Sequence, residues 1–139
     1  MKKHVAALLI LMLAGLTGLV NAQVVHPKIM AQIPFEFVAN GKTMPAGECT
    51  ITAQGDGTMI LWIRSGNKNL AAVPHATQSL NASQKTTLVF HRYGDRYFLA
   101  SISRQGEKLG YEFPTNKLEK ELRAQNVAKS DVILLASLQ

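Results

Sequence analysis

Two guanidinium groups, two phenols and a carboxylate crowd one short stretch of this sequence: Arg92, Tyr93, Asp95, Arg96 and Tyr97, around Gly94. Arginine presents a planar fork of donors that matches a carboxylate or phosphate, and tyrosine a flat ring ending in a hydroxyl. Such a set can grip a carboxylate, a phosphate or a sugar, so these five are the candidate ligand- or partner-binding residues. The structural alternative is that they zip a hairpin together and clip it to neighbouring strands. Catalysis would need an activated nucleophile or a matched acid and base. The pairings at hand are His91 with Asp95 and Glu36 with Glu48. Asp95 serves a turn, His91 packs beside Phe98, and both glutamates alternate outward. A metal would need converging ligands, and His26, His75, His91 and Cys49 stand singly. No glycine-rich phosphate loop opens a helix, and no Gly-x-Ser-x-Gly elbow occurs. The expectation is therefore no enzyme, no cofactor and no metal.

The elements that must position these residues read mostly as strands. Gly94-Asp95 is a two-residue loop suited to a primed turn, and it makes Thr86–Arg104 a hairpin. That loop pairs Arg92 with Tyr97, Phe90 with Leu99, Tyr93 with Arg96, His91 with Phe98 and Val89 with Ala100. Each arginine then sits beside a ring, where a cation–π contact adds about 0.5–1 kcal/mol. Alternation predicts further strands at 32–38, with Pro34 marking an edge, at 48–53, at 58–64, at 70–80 and at 109–113. Residues 40–47 read as a turn-rich connector, and Gln54-Gly55-Asp56-Gly57 as a turn. The strand at 58–64 is apolar on both sides, Met59, Leu61 and Ile63 against Ile60 and Trp62, which predicts a strand covered twice. Cys49 alternates with Ile51 and reads as a small buried hydrophobe. Asn116 opens a short helix, with Glu119 at the capping-box position, Leu118 and Leu122 one turn apart, and a Glu119–Arg123 pair. Val132–Leu138 closes as a strand. The sum is a mainly β fold: an antiparallel sandwich or partly closed barrel of seven or eight strands, with one short helix near the C-terminus.

The chain has 139 residues, and 47% of them are hydrophobic against 17% charged, a balance that excludes wholesale disorder. Lys2 and Lys3 precede an apolar run from Val5, and Val20-Asn21-Ala22 supplies small residues at the −3 and −1 positions. This is the layout of a secretory signal, residues 1–22, cleaved before Gln23. Residues 23–139 then form a single β-rich domain, exported to the periplasm or beyond, with no membrane span after cleavage. No cysteine follows the apolar run to carry a lipid, and one cysteine closes no internal disulfide. The formal charge of +6 falls to +4 once Lys2 and Lys3 are removed, and it is scattered rather than striped. That excludes a nucleic-acid footprint and leaves weak attraction to anionic envelope polymers.

Three segments carry a resemblance: Ile33-Pro34-Phe35-Glu36-Phe37, Lys42-Thr43-Met44-Pro45-Ala46-Gly47-Glu48 and Leu88-Val89-Phe90-His91-Arg92-Tyr93-Gly94-Asp95-Arg96-Tyr97-Phe98-Leu99. The chain resembles a family of small exported bacterial β-rich proteins of unknown function, across most of residues 23–139. It departs from that pattern at Cys49, where an aromatic is usual, and at Met44, where leucine is usual. The resemblance implies an exported bacterial β domain and no activity. Function is expected to be that of a non-catalytic envelope module binding a partner protein or an anionic surface glycan. The competing expectation is a small barrel-like carrier of an apolar or amphipathic ligand.

Overall fold

The computed structural model describes residues 27–55 and 59–139, which form twelve short strands and one helix. The strands are β1 (Lys28–Ile33), β2 (Phe37–Ala39), β3 (Lys42–Met44), β4 (Gly47–Gln54), β5 (Ile60–Ser65), β6 (Lys68–Ala72), β7 (His75–Gln78), β8 (Thr87–Tyr93), β9 (Arg96–Ser103), β10 (Leu109–Glu112), β11 (Lys129–Leu135) and β12 (Ser137–Leu138). The helix, α1, is Lys117–Ala124. The expected signal at 1–22, His26 and the turn residues Asp56 and Gly57 lie outside the described residues.

One sheet has five antiparallel strands in the order β12-β1-β4-β5-β6. The second runs β11-β8-β9-β10-β7 and reaches seven strands through β2 and β3. There β2 meets β9 in parallel at one bridge, Val38↔Phe98, and β3 pairs with β2. The sheets form a sandwich, and neither closes into a barrel. Among the described residues no helix is long and apolar enough to cross a membrane.

Three prolines mark three of the four places where the described chain changes sheets. Pro34 separates β1 from β2, Pro45 separates β3 from β4, and Pro74 separates β6 from β7. Proline has no N–H to give a ladder, so each strand stops there and the next begins in the facing sheet. Two expected strands are corrected on this ground: 32–38 is cut at Pro34, and 70–80 is cut at Val73-Pro74. A third, 132–138, is cut at Ala136, where β11 of one sheet passes to β12 of the other. These three cuts raise eight expected strands to eleven, and β3, within the expected connector, is the twelfth. The expected connector at 40–47 is instead a hairpin, turning at Asn40-Gly41 with φ of +47° and +76°, the positive pair a type I′ turn needs.

The facing surfaces interlock Ile33, Phe37, Met44, Ile51, Ile63, Leu88, Phe90 and Ile102, all buried. The doubly covered strand expected at 58–64 is also corrected. Leu61 and Ile63 of β5 face the core, whereas Trp62 is 39% exposed on the outer face. Its indole N–H donates to Gln54 Oε1 at 3.0 Å, so the ring lies on the sheet with its polar end satisfied and needs no second layer.

Cys49 is buried in β4. Burial pushes its thiol up from 9.0 to about 12, because the thiolate would be desolvated. The unfolded chain therefore ionises first as pH rises, and this contribution is intact below about pH 9 and lost toward pH 12. Alkaline denaturation should steepen across that window by up to about 1.4 kcal/mol per pH unit. Cys49→Ala should remove the excess slope, measured as urea midpoints at stepped pH. An unchanged slope would show that other groups carry the alkaline loss.

Candidate binding groove at the hairpin tip

The hairpin β8–β9 has the expected register at its tip: Arg92↔Tyr97, Tyr93↔Arg96, His91↔Phe98 and Phe90↔Leu99. Gly94 takes φ +63° and Asp95 does not go positive, which fits a type II′ turn with glycine first. Arg92 Nε donates to the Gly94 carbonyl at 2.7 Å and braces that turn. Farther down the expected register breaks, and Val89 lies opposite Ser101 rather than Ala100. A bulge adds one residue to β9, which lets both Leu99 and Ile102 face the core.

The two tyrosines point to opposite sides of the sheet. Tyr97 stacks on Phe35, centroids 3.7 Å apart and planes 10° apart, and the Arg92 guanidinium lies over the Tyr97 ring at 5.6 Å. Phe35 in turn meets Phe90 edge-on at 5.1 Å. Tyr93 is buried on the outer face, edge-on to Phe98, under α1. The expected cation–π partner for Arg96 is thus lost beneath the helix, and Arg96 remains exposed.

Helix α1 explains why Tyr93 is buried. Its only buried residue is Glu119, although Leu118 and Leu122 are half-buried beside it. Asn116 Oδ1 accepts from the Glu119 N–H at 2.8 Å, as a cap should. The glutamate side chain does not complete the box and reaches into the sheet instead. Its Oε1 lies 2.6 Å from His91 Nδ1, 3.0 Å from the donating Tyr93 hydroxyl and 3.4 Å from Arg123 Nη2. The 2.6 Å contact with the carboxylate oxygen is the shortest in the joint and fits the His91 tautomer whose Nδ1–H donates. Arg123 Nε donates to the Tyr93 oxygen at 2.7 Å. That bond first, and then the nearby Glu119 carboxylate, raise the Arg123 guanidinium above its ordinary pKa. The expected Glu119–Arg123 pair is therefore present as part of a four-residue joint. His91 Nε2 is 4.0 Å from Asp131. Among the described residues no three of histidine, cysteine, aspartate and glutamate converge as metal ligands.

Of the five candidate residues, Tyr93 and Tyr97 have their rings engaged and Arg92 braces the turn. Asp95 and Arg96 are left exposed, and both line a groove. The groove exists because β2 and β9 touch only at Val38↔Phe98 and then part. One wall is Phe35–Val38, the other Asp95–Tyr97, with Thr43 and Leu118 at the end, and its volume is about 470 Å³. A second hollow of about 390 Å³ shares Val38, Thr43 and Leu118 and continues to Asn116, Lys117 and Glu121. Glu36 and Glu48, the other carboxylate pair, do not meet: Glu36 is in the groove, and Glu48 is on the outer face of the five-stranded sheet. Arg96 thus shares the groove with Glu36 and Asp95, while Lys117 and Glu121 line the adjoining hollow. Among the described residues Arg96 forms no ion pair within 4 Å. Sequence reasoning missed Glu36, Thr43 and Leu118 as walls, and Glu119 and Arg123 as the joint. Only the placement of Glu119 between Leu118 and the Leu122 turn hinted that it faces inward. The chain matches no protein-family model, no curated protein and no solved structure.

Proposed function

We propose that this protein is a non-catalytic exported envelope module that binds a surface glycan in the groove between β2, β9 and α1. The observation that carries the reading is Arg96, an uncommitted guanidinium beside Asp95 and Glu36 in a long open cleft. Carboxylates, a guanidinium and the Thr43 hydroxyl supply the donors and acceptors that sugar hydroxyls require. Charges of both signs suit a hydroxyl-rich chain better than a dense polyanion. A protein partner would call for a deep apolar pocket to seat an aromatic anchor, and here the aromatic rings are stacked on one another. The carrier reading is disfavoured by the interior, where the void lined by Ile29, Ile51, Leu61 and Ile102 is about 10 Å³. That is room for no more than one water. Export to the periplasm or the exterior, on the strength of the N-terminal signal layout, places the module where such glycans are.

Arg96→Ala and Asp95→Ala together should leave the unfolding free energy from urea titration within about 0.5 kcal/mol of the parent, since both are exposed. Binding to purified envelope polysaccharide, read by calorimetry, should fall at least about tenfold, the equivalent of 1.4 kcal/mol. Unchanged polysaccharide binding, or capture of an envelope protein with no polysaccharide signal, would overturn the reading.

A further inference from the structure

We infer that β11 is the seam of a two-fold dimer, pairing antiparallel with the β11 of a second copy. The strand is seven residues long and, among the described residues, is paired on one side only, with β8. Its other side presents unpaired backbone N–H and C=O groups, the template on which a further strand adds. The competing edges are short or tied down. β12 has two residues, β3 three and β7 four. β6 is bridged to the β2–β3 hairpin by Lys68 Nζ to the Thr43 carbonyl, 2.9 Å, and by Asn40 Nδ2 to the Ala71 carbonyl, 3.3 Å.

The side chains along β11 mark it further. Val132 and Leu134 pack inward on the core, while Ile133 and Leu135 point outward, 64% and 63% exposed. Sheets normally guard such an edge with charge, proline or a bulge. Here Lys129 and Asp131 guard only the first half, where they lie 3.5 Å apart. Val132–Leu135 is apolar at every position.

The self-complementary apolar half of the strand points to a second copy as the occupant, and its charges permit one. A continuous sheet built on a two-fold axis must pair residues that face the same side. An axis through Ile133 sets that residue opposite its own copy, Val132 opposite the partner's Leu134, and Asp131 opposite the partner's Leu135. No like charges meet, and Ile133 gains an apolar neighbour across the seam. An axis through Asp131 would instead set two carboxylates face to face. The sequence of the strand is thus self-complementary in its apolar half. β8 stands between β11 and β9, so pairing leaves the groove of each copy open, and two grooves on one body would bind a repeating polymer with avidity.

Sedimentation velocity on the protein as produced should show a dimer, and Ile133→Lys should give a monomer with an unchanged far-ultraviolet spectrum. Ile133→Cys tests the register without adding charge. Directly opposed residues of antiparallel strands have Cα atoms about 4.5–5.5 Å apart, within reach of a disulfide. Mild oxidation should therefore cross-link that variant, while Trp62→Cys, on the outer face of the other sheet, stays single. The buried Cys49 does not compete. A parent protein that is monomeric at its highest soluble concentration would overturn the inference, as would a dimer that survives Ile133→Lys. Failure of Ile133→Cys to cross-link in a dimeric sample would overturn it too. Polysaccharide binding by a monomer would leave the groove reading standing, so the two can fail separately.

Discussion

Replacing Phe90 by alanine lowers the unfolding free energy by about 3–5 kcal/mol, near the upper end for a single core truncation. Phe90 is fully buried in β8 and receives two rings edge-on, Phe35 at 5.1 Å and Phe37 at 5.5 Å. Each such pair is worth about 0.5–1.5 kcal/mol beyond the area it buries. The remainder is the lost transfer energy plus the cavity, which the surrounding strands cannot collapse to fill. Phe35 and Phe37 come from the segment around Pro34 that carries the chain between sheets, so the truncation loosens the join between them. Phe90→Leu keeps most of the volume and should cost less than half as much. Urea titration decides it: the midpoint should fall while the slope stays constant, as for a loss of stability without a change in denatured-state compactness. A loss below about 1 kcal/mol would mean that Phe35 and Phe37 repack into the space.

Much of this architecture can be read from local rules, because the determinants lie within a few residues of their effects. Gly94-Asp95 sets the hairpin register through turn geometry, and the alternation of Cys49 and Ile51 gives the inward face of β4. Pro34, Pro45 and Pro74 each announce a strand end, yet their common meaning, a change of sheet, emerges only once the partners on either side are known. The bulge leaves a trace in the spacing of Leu99 and Ile102, three apart where period 2 demands two or four. Trp62 misleads because an apolar residue on a strand is counted toward burial, whereas an amphipathic ring can lie on an open face. The groove is the least legible part. Its walls, Glu36, Asp95, Arg96 and Leu118, come from segments that local patterning cannot bring together, and it opens because two strands fail to pair.

The joint under α1 sets the second large expectation: Glu119→Ala should cost about 2–4 kcal/mol and undock the helix. One carboxylate oxygen accepts from His91, Tyr93 and Arg123, and charge-assisted hydrogen bonds contribute about 1.5–3 kcal/mol where neutral ones give about half that. Removing a buried ionic partner costs about 3–5 kcal/mol when the other charge is trapped. Here Arg123 is nearly half exposed and can turn to water, which lowers the figure. Tyr93 cannot turn, and its hydroxyl loses its acceptor inside the protein. An eight-residue helix has no stability of its own, since isolated helices below about 12–15 residues are marginal in water. With Glu119 its only buried residue, the helix should open locally before the sandwich unfolds. Hydrogen exchange should then rise at Lys117–Ala124 and at Tyr93, while β4 and β5 stay protected. Glu119→Gln keeps an acceptor for Tyr93 and should lose about 1 kcal/mol with the helix still docked. Because Leu118 walls the groove and Lys117 the adjoining hollow, the alanine variant should lose polysaccharide binding along with the helix, and the glutamine variant should keep it. Equal protection of α1 in all three proteins would show that Leu118 and Leu122 hold the helix and that the carboxylate is incidental.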